Sequence, residues 1–170
     1  MISVLIRPFT VSHLVNSVTE LFKDKEVGNI DQKQAVKSNK QQFSGVHVLV
    51  AEDNEVNQIL ITELLSNWGI AVTLAQNGAE CLALLKAQKQ SFDLIFMDVQ
   101  MPVMDGLDAT RHIRQDMQLT DIPIVALTAN VMADDQQKFA QVGMNAFLGK
   151  PFDLEELNQI LHRFVGNRNL

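Results

Sequence analysis

Beyond residue 45 the chain alternates between two periods. Short apolar runs, "VHVLVA" (46–51), "AVTLA" (71–75), "DLIFM" (93–97), "PIVALT" (123–128) and "AFL" (146–148), alternate with stretches whose apolar positions recur every three or four residues. The first such stretch runs through Trp68, with Val56, Ile59, Leu60, Leu64 and Leu65 as its apolar positions. Further helices are expected over about 79–87, 106–117, 132–142 and 153–165. Apolar runs this continuous suit strands buried on both faces, as in parallel sheets. Right-handed crossovers between such strands place helices on each side of the sheet. The pattern therefore predicts an α/β fold, a doubly wound three-layer sandwich around a five-stranded parallel sheet.

The first 44 residues lack this regular alternation. Residues 1–22 are a short apolar run and then an amphipathic stretch, with Val11, Leu14, Val15, Val18, Leu21 and Phe22 at helical spacing. Residues 23–44, "KDKEVGNIDQKQAVKSNKQQFS", are polar and rich in Lys and Gln, the composition of a linker. A shift of 143 residues lays the first segment over the last part of the chain. Leu5, Pro8, Phe9 and Leu14 then meet Leu148, Pro151, Phe152 and Leu157 as identities, and Arg7 meets Lys150. An internal repeat of this kind usually marks tandem domains; a fortuitous amphipathic helix is the alternative.

Composition narrows the class. Hydrophobic residues make up 46% of the 170 positions and charged ones 20%, a globular balance. A formal net charge of -6 disfavours nonspecific nucleic-acid binding. Cys81 is the single cysteine, so no intrachain disulfide forms and a reducing compartment fits best. Its place in an apolar helical run reads as a core residue. No apolar stretch approaches the ~18 residues of a membrane span, and no signal-peptide pattern follows the opening run. The expectation is a cytoplasmic chain without direct membrane contact, any anchor in the inner membrane belonging to a larger parent.

In a sheet of this type ligands bind beyond the carboxyl ends of the strands. Glu52 and Asp53 follow the first strand, Asp98 the third, Thr128 ends the fourth, and Lys150 stands just past the fifth. Singly, each reads as a cap or a solvated charge; Asp53 or Asn54 suits the cap of the first helix. Together they place three carboxylates, a hydroxyl and an ammonium on one rim. Carboxylates this close need a cation or raised pKa values. Oxygen ligands suit a hard divalent ion such as Mg²⁺, which bridges to phosphate. The lysine and hydroxyl suit phosphoryl oxygens, and an aspartate beside the ion can be a nucleophile that forms an acyl phosphate. Pro102 and Asp105-Gly106 supply turn chemistry after Asp98.

"VLVAEDNEVNQ" (48–58), "IFMDVQMPVMDG" (95–106), "ALTAN" (126–130) and "GKPF" (149–152) resemble the receiver domain of two-component phosphorelay signalling. The motif order runs without a gap over 46–165, and "EDNEVNQ" resembles the receivers of hybrid sensor histidine kinases. The resemblance implies a flavodoxin-like fold with strand order 2-1-3-4-5. It makes Asp98 the phospho-acceptor, taking a phosphoryl group from a kinase phosphohistidine. Asp53, Asp98 and the backbone carbonyl of Gln100 would bind Mg²⁺, or Mn²⁺ in its place, with Glu52 helping through water. Thr128 and Lys150 would contact phosphoryl oxygens, and Lys150-Pro151 would be a cis peptide. Thr128 and Phe147 would form the switch, with Phe147 standing where the family often has Tyr. A static core aromatic is the alternative for Phe147. Partners would be a histidine kinase domain and a histidine phosphotransfer protein, with no nucleic acid.

Under the same resemblance, residues 1–22 look like the last strand and helix of a preceding receiver. Arg7 in the lysine position marks that receiver as degenerate, and 23–44 joins it to a receiver over 45–170. With "VGNRNL" following the last helix and no output domain, the chain reads as the C-terminal piece of a hybrid sensor histidine kinase. The 1–22 helix cannot bury its stripe alone. It is expected to dock on the receiver or to form a homodimer with its copy. His13, His47, His112 and His162 lie in no kinase or transfer motif, and no phosphate-binding "GxxxxGK[ST]" loop occurs. Two rivals remain: a haloacid-dehalogenase-like phosphatase, whose Asp-x-Asp pattern Asp98-Val99-Gln100 breaks, and a receiver that docks partners without being phosphorylated.

Overall fold

The computed structural model describes residues 42–166 apart from 88–91 and 131. They fall within the second of two compact units, Asn39–Leu170. The proposed remnant at 1–22, its docking or pairing, and nearly all of the linker stretch lie outside the described residues.

Five strands form the sheet: β1 (His47–Ala51), β2 (Ala71–Ala75), β3 (Leu94–Asp98), β4 (Ile124–Thr128) and β5 (Ala146–Gly149). Their order is β2-β1-β3-β4-β5 and every neighbouring pair is parallel. Between and after them come α1 (Glu55–Asn67), α2 (Gly78–Ala87), α3 (Gly106–Arg111), α4 (Ala133–Val142) and α5 (Leu154–Val165). This is the doubly wound, flavodoxin-like sandwich, with the expected strand order.

Successive residues of a strand point to opposite faces, and the core divides accordingly. Val48, Val50, Leu94, Phe96, Val125 and Leu127 pack with Ile61, Leu64 and Leu65 of α1 and with Leu157 and Leu161 of α5. Leu49, Ala51, Ile95, Met97 and Ala126 pack on the other face with Cys81 of α2, Ala109 of α3 and Phe139 of α4. Helices are held at their starts by side-chain caps. Asn54 caps α1, Asp105 caps α3 and Asp153 caps α5, each accepting from main-chain N–H groups of the first turn.

Three details depart from the periodic reading. Val56 and Ile59 stand 44% and 38% exposed on the outer side of α1, and Ile61 takes a core place instead. The helix expected over 106–117 is α-helical only to Arg111 and continues as a π-helical turn, His112–Asp116, closed by Met117 N–H on the His112 carbonyl. Phe43, inside the stretch whose composition reads as linker, is 1% exposed. Its ring meets Trp68 at the end of α1 and His162 of α5 edge-on, and its N–H donates to the Trp68 carbonyl. Among the described residues no helix is long and apolar enough to cross a membrane.

Candidate functional site

The carboxyl rim of the sheet gathers the side chains that strand-end logic singled out. Glu52 follows β1 directly and is 0% exposed, while Asp53 beside it is exposed. Asp98 ends β3 and Thr128 ends β4, both buried. Lys150 follows β5, where its N–H donates to the Thr128 carbonyl at 2.8 Å and the Lys150–Pro151 peptide bond is cis. One carboxylate oxygen from each of Glu52, Asp53 and Asp98 lies within 4.8 Å of the others.

Lys150 bridges the two buried acids. Its Nζ donates to Asp98 Oδ2 at 2.6 Å and stands 2.6 Å from Glu52 Oε2. Asp98 Oδ1 accepts from the Gln100 N–H at 3.0 Å. Burial, aided by the charge of Glu52, pushes the Asp98 carboxyl above the usual carboxylate range, although Lys150 and the Gln100 N–H act against it. For Lys150, burial favours the neutral amine, but the bonds to Asp98 and Glu52 outweigh it and hold the ammonium above its ordinary value. Three carboxylates face one ammonium, so the rim carries an excess of negative charge that an oxygen-seeking cation would balance. The donor set fits Mg²⁺ on this chemistry.

The loop after Asp98 is built for close approach. A Cβ on Gly106 would lie 2.1 Å from the Asp98 carbonyl oxygen, so only glycine lets α3 start against the end of β3. Val103 takes φ 69° in this loop, a left-handed conformation that a β-branched residue rarely adopts. Asp53, Val99, Gln100, Met101, Pro102, Asp105 and Leu107 line an open groove of about 480 Å³ beside the acids.

Thr128 and Phe147 are less engaged with Asp98. The Thr128 hydroxyl donates to the Asn130 carbonyl at 2.8 Å and accepts from the Asn130 N–H at 3.1 Å, closing a turn of its own. Phe147 is half-buried against the core shared with α2, α3 and α4. The sequence reading did not single out Asn57 and Gln58 of α1, both of which bond to Glu52. Their only signal was their place in "EDNEVNQ", one turn after the acids.

A parallel sheet in this order, with buried acids and a lysine at its carboxyl rim, defines a receiver. The chain belongs to the response regulator receiver domain family, which it matches over residues 48–162, more than half its length. Hybrid signal transduction histidine kinase K of Dictyostelium discoideum is 40% identical over 130 residues, 72% of this chain and 11% of that protein. The receiver domain of sensor histidine kinase PA1611 from Pseudomonas aeruginosa PAO1, crystallised with a magnesium ion in its active-site cleft, is 43% identical with a TM-score of 0.63. That match covers 73% of this chain and 100% of the other. The co-crystal structure of the Saccharomyces cerevisiae histidine phosphotransfer protein Ypd1 with the receiver domain of its downstream response regulator Ssk1 matches at 32% identity and a TM-score of 0.68. It covers 75% of this chain and 94% of the matched one. The chain spans 7% to 18% of the length of the curated relatives that it matches. It is a receiver domain of two-component phosphorelay signalling, related to those of hybrid histidine kinases.

Proposed function

We propose that Asp98 accepts a phosphoryl group from a kinase phosphohistidine and later yields it to a histidine phosphotransfer protein. The observation that carries this reading is the placement of Asp98, a buried carboxylate with Lys150 Nζ at 2.6 Å and the Gln100 N–H at 3.0 Å, beside two further acids. A carboxylate oxygen of Asp98 attacks phosphorus and the P–N bond breaks, its electron pair returning to the donor imidazole. The product is an acyl phosphate. Lys150, held between Glu52 and Asp98, is within reach of the charge that develops on the phosphoryl oxygens.

Asp53, Asp98 and the Gln100 carbonyl would hold Mg²⁺, or Mn²⁺ in its place, with Glu52 acting through water. Bound there, the ion would neutralise the acids and the incoming phosphoryl oxygens. The Thr128 hydroxyl must leave Asn130 to reach the phosphoryl group, and the space it vacates admits Phe147. That movement alters the face formed by α4, β5 and α5. Val56 and Val103, exposed near the rim, offer apolar contact to the phosphotransfer partner. In this reading residues 1–22 are the end of a degenerate receiver, 23–44 a linker, and the parent a hybrid sensor histidine kinase working on the cytoplasmic side. The receiver promotes its own phosphorylation and dephosphorylation, and the 1–22 helix docks on it or pairs two copies.

The test is intact mass after incubation with acetyl phosphate and Mg²⁺. One phosphoryl adduct, absent from Asp98→Asn and from an EDTA sample, is expected. No adduct from either acetyl phosphate or a phosphorylated histidine kinase would leave a receiver that only docks partners.

A further inference from the structure

Helix α1 grips Glu52 at two points. Glu52 Oε1 accepts from the Asn57 carboxamide and from the Asn54 N–H, both at 3.2 Å. Its main-chain carbonyl accepts from Gln58 Nε2 at 2.5 Å. The other carboxylate oxygen, Oε2, faces Lys150. Asn57 sits three residues after the N-cap, where a side chain commonly reaches back to the cap's own N–H. Here the Asn54 N–H goes to Glu52, and the Asn57 side chain donates to the same oxygen. The cap is already complete without it, because Asn54 Oδ1 accepts from the N–H groups of Val56 and Asn57. The Asn57 carboxamide thus serves Glu52 and not the helix.

We propose that Asn57 is a positioning residue of the rim: with the Asn54 N–H it saturates Glu52 Oε1, so that Glu52 keeps a single oxygen on Lys150 and the ammonium stays shared with Asp98. The inference rests on the reading of the rim as a cation and phosphoryl site. Glu52 is fully buried, and a buried carboxylate oxygen that loses a donor turns toward the next one available. Lys150 is that donor. With Oε1 held by the Asn54 N–H alone and drawn toward Lys150, Glu52 serves a cation less well and the ammonium shifts away from Asp98. Gln58 adds to the grip by fixing the main chain from which Glu52 projects.

The full chain tests this with Asn57→Leu, which keeps the side chain's size, favours the helix more than asparagine does and lacks the amide. Calorimetric titration with MgCl₂ is expected to show a Kd raised roughly 10-fold, the order found when a group that orients a metal ligand is removed. The maximal rate of adduct formation from acetyl phosphate at saturating Mg²⁺ falls too, while helix content by circular dichroism is retained. Asn57→Gln keeps a donor amide and recovers most of the affinity. A Kd for Asn57→Leu within about twofold of native overturns the proposal. So does an equal loss in Asn57→Gln, which would trace the effect to side-chain shape. Should Asn57→Leu fail to fold, Asn57→Ser, too short to reach Glu52, gives the same comparison. Native protein that binds no Mg²⁺ would sink the reading of the rim itself; native binding that Asn57→Leu leaves unchanged sinks only the role of Asn57.

Discussion

Asp98 is held in a place that does not suit its charge. Burial raises its pKa, so between the ordinary carboxylate value and that raised value the folded chain binds more protons than the unfolded one. Stability therefore falls as pH rises through that window. Asp98→Asn removes the charge, and in EDTA at pH 7 it is expected to be the more stable, with a higher Tm. The gap should narrow as pH is lowered, which thermal melts at several pH values would show. A melt unchanged at pH 7 would mean that Lys150 fully compensates the burial. Val103 is a second strained residue, with φ 69° and 86% exposure. Asparagine tolerates that conformation, so Val103→Asn should gain about 0.5–1 kcal/mol. Urea unfolding would register this as a raised midpoint at unchanged slope.

The π-helical turn after α3 is tied to groups some thirty positions away in sequence. Arg114 projects from it and donates to the Gly143 carbonyl and to Asn145 Oδ1, both at 3.0 Å, and to the Leu119 carbonyl. Asn145 Oδ1 also accepts from the Ile124 N–H, so one guanidinium ties α3, the α4–β5 turn and the start of β4 together. Gly143, at φ 96°, has Arg114 carbon 2.9 Å from where a Cβ would sit. Arg114→Ala is expected to lose about 2 kcal/mol, with faster amide exchange at the start of β5 as the local signature. Unaltered exchange there would show that the arginine ties nothing.

These elements also show what the sequence could and could not reveal. Strands buried on both faces must be apolar throughout, so "PIVALT" and "DLIFM" announced themselves, and alternation with helices placed Glu52, Asp98 and Lys150 at one edge. Helical period alone could not tell which apolar positions of α1 face inward. Packing of Ile61, Leu64 and Leu65 against the sheet decides that, leaving Val56 and Ile59 outside. Nor could it foresee the π turn, whose Arg114 bonds Gly143 and Asn145, residues far away in sequence. Asn57 and Gln58 carry no periodic signal, because their partner is one residue, Glu52, whose carboxylate Asn57 meets and whose main-chain carbonyl Gln58 meets once α1 is folded.

The chain as a unit couples its rim to its stability. Three acids against one ammonium leave repulsion in the metal-free fold that a bound cation removes. At 100 times its Kd, Mg²⁺ should add about 2.7 kcal/mol, seen as a rise in Tm of several degrees. Asp98→Asn should lose most of this rise, and a Tm indifferent to Mg²⁺ would argue against a cation at this rim. At the opposite end of α1, Phe43 fills space between Trp68 and His162. Phe43→Ala is expected to cost about 3–5 kcal/mol, measured by urea unfolding, although the residue lies in a stretch that reads as tether.

Phe43 also sets where this receiver can be joined to something else. A chimera spliced at Gly45, where the strand-and-helix rhythm begins, would carry the whole rim and every strand into its new host, yet arrive with a vacancy the size of a phenyl ring between its first and last helices. Recombination that keeps the unit intact has to cross over upstream of Phe43. In the exchange of such modules between parent proteins, the last few residues before the sheet travel as cargo of the domain behind them.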